Sequence, residues 1–316
     1  MTPGQCAPGL SVVVPATDHP LTLPACRAAL DRAVAALADA GGTAEVLVVD
    51  APPLLPVCTA RNTGARRAGA GVVVFVDADV EVHADALVQI AEAFTDPTLT
   101  ALFGSYDDAP SRGGAVAAFR NLLHHHVHQG AAGPARTFWS GLGAVRRDAF
   151  LAVGGFDEHR FTVPSVEDID LGARLVARGA RIVLDPRIQG THLKAWTLRS
   201  MVVTDFARRG VPWVALQLRH GAAGSTALNL GWRHRVSALA CLTGVLALAG
   251  RRPAAAGAAL AVLIGLNRDF YRLLARRRGP GEALLGVGLH VVHHLTAVAS
   301  VPFGVARHLR ERIGRN

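Results

Sequence analysis

The chemistry of this sequence is concentrated in its carboxylates. The run "VVVFVDAD" places Asp77 and Asp79, two acids one residue apart, directly behind five apolar residues. In an extended chain side chains alternate with a period of two, so both acids point the same way and together can grip one divalent cation. An aspartate-rich solvated loop is the competing reading of so short a motif. A third acid, Asp50, closes "AEVLVVD", and Glu167, Asp168 and Asp170 cluster in "SVEDIDLGARL". That stretch reads as a helix start with Ser165 as its cap, and acids in a first turn are favoured there by the helix dipole.

The elements that must hold these acids alternate along the chain. "LSVVVPA" (10–16) is a β-branched strand running to Pro15, and an Ala-rich helix follows, stopped by Gly41 and Gly42. A second strand (44–53) is broken by Pro52 and Pro53, a helix over 56–71 leads to the third strand, and a helix over 83–96 leads to a fourth strand at 99–106. A later strand, "RIVLDP", precedes "IQGTHLKAW". Near-continuous apolar strands alternating with helices predict an α/β fold with a mostly parallel sheet covered on both faces. Ligands of such sheets bind outside the carboxyl ends of the strands, where Asp50, Asp77 and Asp79 collect.

Half of the 316 residues are hydrophobic, and the formal net charge is +9. Arginines crowd the last third, from Arg233 to Arg315, and flank apolar runs instead of interleaving with aromatics, which are only 5% of the chain. That pattern suits anionic lipid head groups, and nucleic acid is not expected as a partner. The runs 236–250 and 253–266 are short for a membrane crossing of roughly 20 residues, whereas 283–306 is long enough. "LNRDFYRLLARRRGPGE" carries a basic cluster expected beside the cytoplasmic leaflet. Two domains are therefore expected: 1–228, which holds the acids, and 229–316, a membrane-associated helical region, with a soluble helical subdomain as the alternative for the latter. The N-terminus shows neither a basic segment nor a long apolar run, so no signal peptide is expected and the first domain should face the cytoplasm from the cell membrane. Four cysteines form no CxxC pair, and reduced buried thiols are the expectation.

The ordered set "SVVVP", "EVLVVD", "ARNTGARRAGAGVVVFVDAD", "FWSGLGAVRRDAFLAVGGFDE" and "SVEDIDLGARL" resembles family 2 glycosyltransferases of GT-A fold, over roughly residues 10 to 220. The resemblance implies an inverting enzyme that moves a sugar from a nucleotide-sugar donor, with Mn²⁺ or Mg²⁺ neutralising the leaving diphosphate. It places Asp77 and Asp79 at the DxD positions, with Asp79 on the metal and Asp77 nearer the ribose or the metal's waters. It places Asp50, Pro15 and Arg61 around the nucleotide. A carboxylate at Asp50 can accept the imide N–H of uracil, which makes a UDP-sugar the first expectation, but "DAPP" departs from the usual pattern and leaves guanine or thymine open. It implies Asp168 as general base, with Glu167 as its alternative and Asp170 next. Trp139, Ser140 and Gly141 would lie beside donor and acceptor; His192 would complete the metal site or touch the diphosphate, with Lys194 and Trp196 near it.

Other histidines invite metal readings. His124 and His128 have i, i+4 spacing, yet no glutamate completes HExxH, and an acceptor-side or interfacial helix is the better reading. His290, His293 and His294 fall on one helical face without an assigned role. Nucleotidyltransferases of nucleotide-sugar metabolism are a rival class, but the Gly-rich basic loop they need after the first strand is missing from "PATDHPLTLP"; a non-catalytic membrane scaffold would not need these acids. "LNLGWRHR" stands where processive members carry Q-x-x-R-W, so a single-addition enzyme acting on a lipid-linked or membrane-bound acceptor is expected.

Overall fold

Alternating side chains of three neighbouring strands set up the sheet. In β1 (Leu10–Pro15) and β3 (Val72–Val76), Val12, Val14, Val72, Val74 and Val76 face one layer, while Val13, Val73 and Phe75 face the other, and all are fully buried. This is the signature of strands sandwiched on both faces, and each such side chain stabilises the fold by roughly 1.5–3 kcal/mol. The computed structural model describes residues 8–110, 113–220 and 231–313. Contacts divide the chain into two units: Met1–Asp107 with His128–Leu193, and Asp108–Val127 with Lys194–Asn316.

The first unit is built on an eight-stranded sheet of order β2-β1-β3-β7-β5-β8-β4, with β6 pairing on β8. The remaining strands are β2 (Ala44–Val49), β4 (Val80–Val82), β5 (Leu99–Tyr106), β6 (Gly133–Ala135), β7 (Leu142–Arg146) and β8 (Arg181–His192). Five strands (β2, β1, β3, β5 and β8) run one way, and β7, β4 and β6 run against them. The sheet is thus mostly parallel, as expected for the α/β GT-A class, with β7 an unanticipated antiparallel insertion between β3 and β5. Two consecutive arginines secure the end of β7. Arg146 donates to the carbonyls of Leu99, Phe94 and Asp96, and Arg147 to those of Ala65 and Arg66.

One face is covered by α1 (Leu23–Asp39) and α3 (Ala86–Ala93). In α1 the buried Cys26, Ala29, Leu30, Ala33 and Leu37 recur at helical spacing and join the core beneath β1 and β3. The other face receives α2 (Val57–Arg67), α5 (Arg147–Ala152) and α6 (Glu167–Ala177). There Phe75 packs on Phe150 and Phe156 at 5.4 and 5.3 Å between ring centres. Gly64 of α2 lies directly on Val13, where any Cβ would collide at 2.3 Å.

The second unit is helical. It contains α4 (Ala115–Gln129) up to Val127, α7 (Leu198–Val203), a π-helical segment (Thr204–Gly210), α8 (Val211–His220), α9 (Trp232–Ala249), α10 (Pro253–Leu266), α11 (Arg268–Arg278) and α12 (Pro280–Ile313). Its core gathers Phe119, Trp196, Met201, Phe270, Tyr271, Leu274 and Leu289. The 34-residue α12 is long and apolar enough to cross a membrane. Leu239, Leu246 and Leu248 of α9 and Leu284 and Phe303 of α12 are largely exposed. The boundary expected at 228 lies outside the described residues, and the unit division differs from it: α7, the π-helical segment and α8 group with the C-terminal helices.

Candidate active site

The carboxyl edge of the sheet carries the acids. Register pairs Pro15 with Val49 and Val13 with Phe75, so the chain leaves β2, β1 and β3 at adjacent points, with Asp50, Ala16 and Asp77 next in line. Strands are spaced about 4.8 Å apart, so the backbones at Asp50 and Asp77 stand roughly 10 Å from each other. Asp50 is exposed, and the loop after it is pinned to the segment that follows β1, since Leu54 N–H donates to Thr17 O at 2.8 Å. Pro15 is buried in β1.

Asp77 and Asp79 are not the end of an extended strand. β3 stops at Val76, and Val80 N–H donates back to Asp77 O at 2.9 Å, so the two acids occupy a tight turn. The common direction expected from strand alternation therefore does not apply. The turn is fixed from both sides: Asp77 N–H donates to Gly141 O at 3.1 Å, and Leu193 N–H to Asp79 O at 2.8 Å. β4 then pairs Val80 with His192, which sets the His192 Nε2 3.5 Å from Asp79 Oδ2. The His192 ring is buried and stacks on Tyr106 at 4.2 Å and 8° between planes; Tyr106 meets the Trp139 ring edge-on at 4.9 Å.

Arg61 is a buried brace. Its Nη2 donates to Asp77 Oδ1 at 2.6 Å and its Nη1 to Glu167 Oε1 at 2.9 Å. Burial disfavours its charge, but Asp77 and Glu167 outweigh burial and hold the guanidinium above its ordinary pKa. Burial pushes the Asp77 carboxyl up; Arg61 opposes that rise and the Asp79 charge adds to it. The next residue, Asn62, clamps the turn after α5 by exchanging hydrogen bonds with the Phe156 backbone, its Oδ1 accepting and its Nδ2 donating at 2.9 Å each. Burial and nearby acids push the thiols of Cys26 and Cys58 up to about 12, which removes both as nucleophiles at neutral pH.

The three acids of α6 divide by role. Glu167 is 4% exposed, and it also accepts from Ser165 N–H at 2.7 Å. The expected Ser165 cap is displaced by one residue: the capping position is Val166, which has no side-chain capping bond. Asp170 is buried between Arg174 at 2.8 Å and Arg160 at 3.5 Å. Asp168 is half-buried and accepts from the N–H of Ile169 at 2.8 Å and, at a long 3.5 Å, from that of Ser140. Helix α6 approaches this closely because Gly172 has no side chain; a Cβ there would fall 2.4 Å from Phe138 N. The Trp139 indole likewise lies over Gly141. Asp77, Asp79, His192, Arg61, Glu167, Asp168, Ser140, Gly141 and Trp139 are therefore brought together. Lys194 and Trp196 belong to the second unit, where the Lys194 ammonium lies 4.7 Å over the Trp196 ring.

Among the described residues no three His, Cys, Asp or Glu side chains converge as an all-protein metal cage. A small hard cation that keeps its waters and borrows substrate phosphates needs only one or two carboxylates. Asp79, with Asp77 beside it and His192 at its edge, fits that donor set. Of the His124–His128 pair, His128 is in the first unit, buried with Nδ1 2.9 Å from Gly104 O, and His124 is in the second.

Sequence reasoning passed over Tyr106, Asn62 and Asp107. Asp107 is buried just past β5 and is bonded by Thr191 Oγ1 and, at 3.1 Å, by the His83 ring. Asking how β5 ends, as was asked of β2 and β3, would have found both Tyr106 and Asp107 in "SYDD".

A family profile described as glycosyl transferase family 21 matches residues 59–285, more than half of the chain. The pre-mycofactocin glycosyltransferase of Mycobacterium tuberculosis is 29% identical over 171 residues, which cover 50% of this chain and 36% of that protein. The aligned part thus spans about a third of that curated relative. Among solved structures, a mannosyltransferase from Pyrobaculum calidifontis in complex with GDP-Man and Mn²⁺ aligns at TM-score 0.49 and 17% identity, over 93% of this chain and 88% of its own. S. aureus TarS aligns at TM-score 0.43 and 13% identity, over 92% and 90%. The expected glycosyltransferase assignment stands, with the matching family now specified. From within α2 to the start of α12, across every acid of the edge except Asp50, the sequence fits one profile, and the chain belongs to glycosyl transferase family 21.

Proposed function

We propose that the enzyme is an inverting, cation-dependent glycosyltransferase that moves a sugar from a nucleotide-sugar, a UDP-sugar first, to a lipid-linked or membrane-bound acceptor. The observation that carries this reading is the division of labour in α6. Glu167 and Asp170 are buried against guanidinium groups, while the half-buried Asp168 sits beside the Ser140–Gly141 backbone. A buried carboxylate is out of reach of an acceptor hydroxyl, whereas Asp168 keeps part of its surface open, so Asp168 is the base. It takes the acceptor hydroxyl proton as that oxygen bonds to the anomeric carbon. The bond from that carbon to the diphosphate breaks with inversion, and no covalent enzyme intermediate is needed.

Asp79, with Asp77 and His192, would hold Mn²⁺ or Mg²⁺, which when bound neutralises charge on the departing diphosphate. Asp50 and Pro15 border the base, and Arg61 positions Asp77. The mycobacterial relative's name indicates a pre-mycofactocin acceptor for that protein; here the apolar α12 and the basic end of α11 favour an acceptor at a membrane, with the sugar-transfer domain up to residue 228 on the cytoplasmic side of the cell membrane and residues 229–316 at the membrane. Titrating the protein with a panel of nucleotide sugars, with and without Mn²⁺, tests the reading. A UDP-sugar should bind only with the cation, and Asp79→Ala should abolish that binding. Equal binding with and without the cation in both proteins refutes the cation-dependent site.

A further inference from the structure

The second unit encloses a cavity of about 280 Å³ among α4, the π-helical segment, α8, α9 and α12. Its walls mix two chemistries. Leu123, Trp213, Val214, Val298 and Val301 are apolar, and Arg209 and Arg235 stand at its rim as exposed cations that make no ion pair within 4 Å among the described residues. Deeper, Arg120 is bonded to Asp205 at 2.9 Å, and His293 Nδ1 lies 2.8 Å from the same carboxylate. Arg120 is thereby neutralised and braced against the Trp196 ring, 5.0 Å away, so the cationic excess lies with the rim arginines.

An apolar pocket with cations at its mouth is complementary to an amphiphile with an anionic head. The surroundings favour a lipid over a soluble anion. Phe206 and Phe303 pack edge-to-face at 5.2 Å beside the pocket, Phe303 is 58% exposed, and Leu239 is 62% exposed on the neighbouring turn of α9. The volume takes a phosphate head and the first carbons of its chains, leaving the rest to lie along this apolar surface. The π-helical turn that forms one wall is a conformation found often at functional sites.

We propose that this cavity is a binding site for a phosphorylated membrane lipid, with Arg209 and Arg235 holding the phosphate. The proposal rests on the membrane part of the reading above and not on sugar-transfer chemistry. It is therefore tested without any nucleotide sugar, so its failure is separable from failure of the transferase mechanism. Full-length protein in dodecyl maltoside micelles is titrated with phosphatidic acid carrying brominated acyl chains, with diacylglycerol carrying the same chains, and with inorganic phosphate. Bromine quenches Trp213 fluorescence on contact, and Trp213→Phe identifies that share of the signal. Phosphatidic acid should quench saturably, diacylglycerol much less, and inorganic phosphate should not displace the lipid. Arg209→Gln with Arg235→Gln should weaken phosphatidic acid about tenfold, the size expected from losing two exposed charge contacts. No quenching of Trp213 overturns the proposal. So does equal quenching by diacylglycerol that ignores the double substitution, and displacement by phosphate reassigns the cavity to a free anion.

Discussion

Removing the Arg61 guanidinium should strand two carboxylates at once. Arg61 is 4% exposed and reaches Asp77 at 2.6 Å and Glu167 at 2.9 Å. At an effective dielectric of about 20, each contact amounts to about 6 kcal/mol of attraction before desolvation. Most of that offsets the cost of burying the charges, and breaking such a buried pair from one side costs about 3–5 kcal/mol. Arg61→Met should therefore destabilise the first unit by that amount. Glu167→Gln added to Arg61→Met removes one of the two stranded charges and should return at least about 1 kcal/mol, a coupling typical of residues in direct contact. The assay is hydrogen exchange of the β3 amides through a urea series, which reads the first unit even if the second unfolds separately. Free energies of the two substitutions that add within about 0.5 kcal/mol would show that Arg61 and Glu167 are not energetically joined, and the brace would have to be abandoned.

Asp168→Asn should leave cation-dependent donor binding intact and cut transfer by about 10²–10⁴-fold, the usual weight of a positioned base; near-normal turnover moves the base to another residue. Gly172→Ala puts a methyl 2.4 Å from Phe138 N and 2.6 Å from Thr137 C, and should cost about 1–3 kcal/mol in the same exchange measurement, whereas an unchanged value would mean α6 does not rest on that backbone. Burial alone would raise the Asp205 carboxyl, but Arg120 and His293 hold it down at about 2. Its folded pKa lies below its unfolded one, so the stability it contributes, about 2–3 kcal/mol, is complete above about pH 4 and is lost as pH falls toward 2. Asp205→Asn should flatten that stretch of an acid-unfolding curve, and an unaltered slope refutes the assignment.

The sequence was most legible where one physical signal dominates. Val72–Val76 is buried on both faces, so its composition alone marks it as a central strand, and the acids that follow could be placed at a sheet edge from topology. Asp168 was separable from Glu167 only by analogy, because the difference lies in which carboxylate meets a guanidinium 106 residues away in the chain. The turn at Asp77–Asp79 was misread as strand because its closing bond, from Val80 N–H to Asp77 O, is held in place by Gly141 and Leu193, both distant in sequence. β7 was missed because "LGAVR" is short and glycine-containing, and its pairing depends on arginines that hold carbonyls of α2 and of the loop before β5. The Ser165 cap failed because α6 begins one residue later than the motif suggests, with Val166 in the capping position.

The antiparallel course of β7 has a consequence for how this enzyme family can diversify. In a parallel sheet every ligand-facing loop leaves a strand, and its length is free to drift. Here the segment Trp139–Gly141 enters a strand at that same edge and is stitched to the Asp77–Asp79 turn by Gly141. It has no slack: lengthening it by one residue would slide β7 out of register against both β3 and β5. Change in what the site accepts is therefore confined, at this border, to swapping side chains.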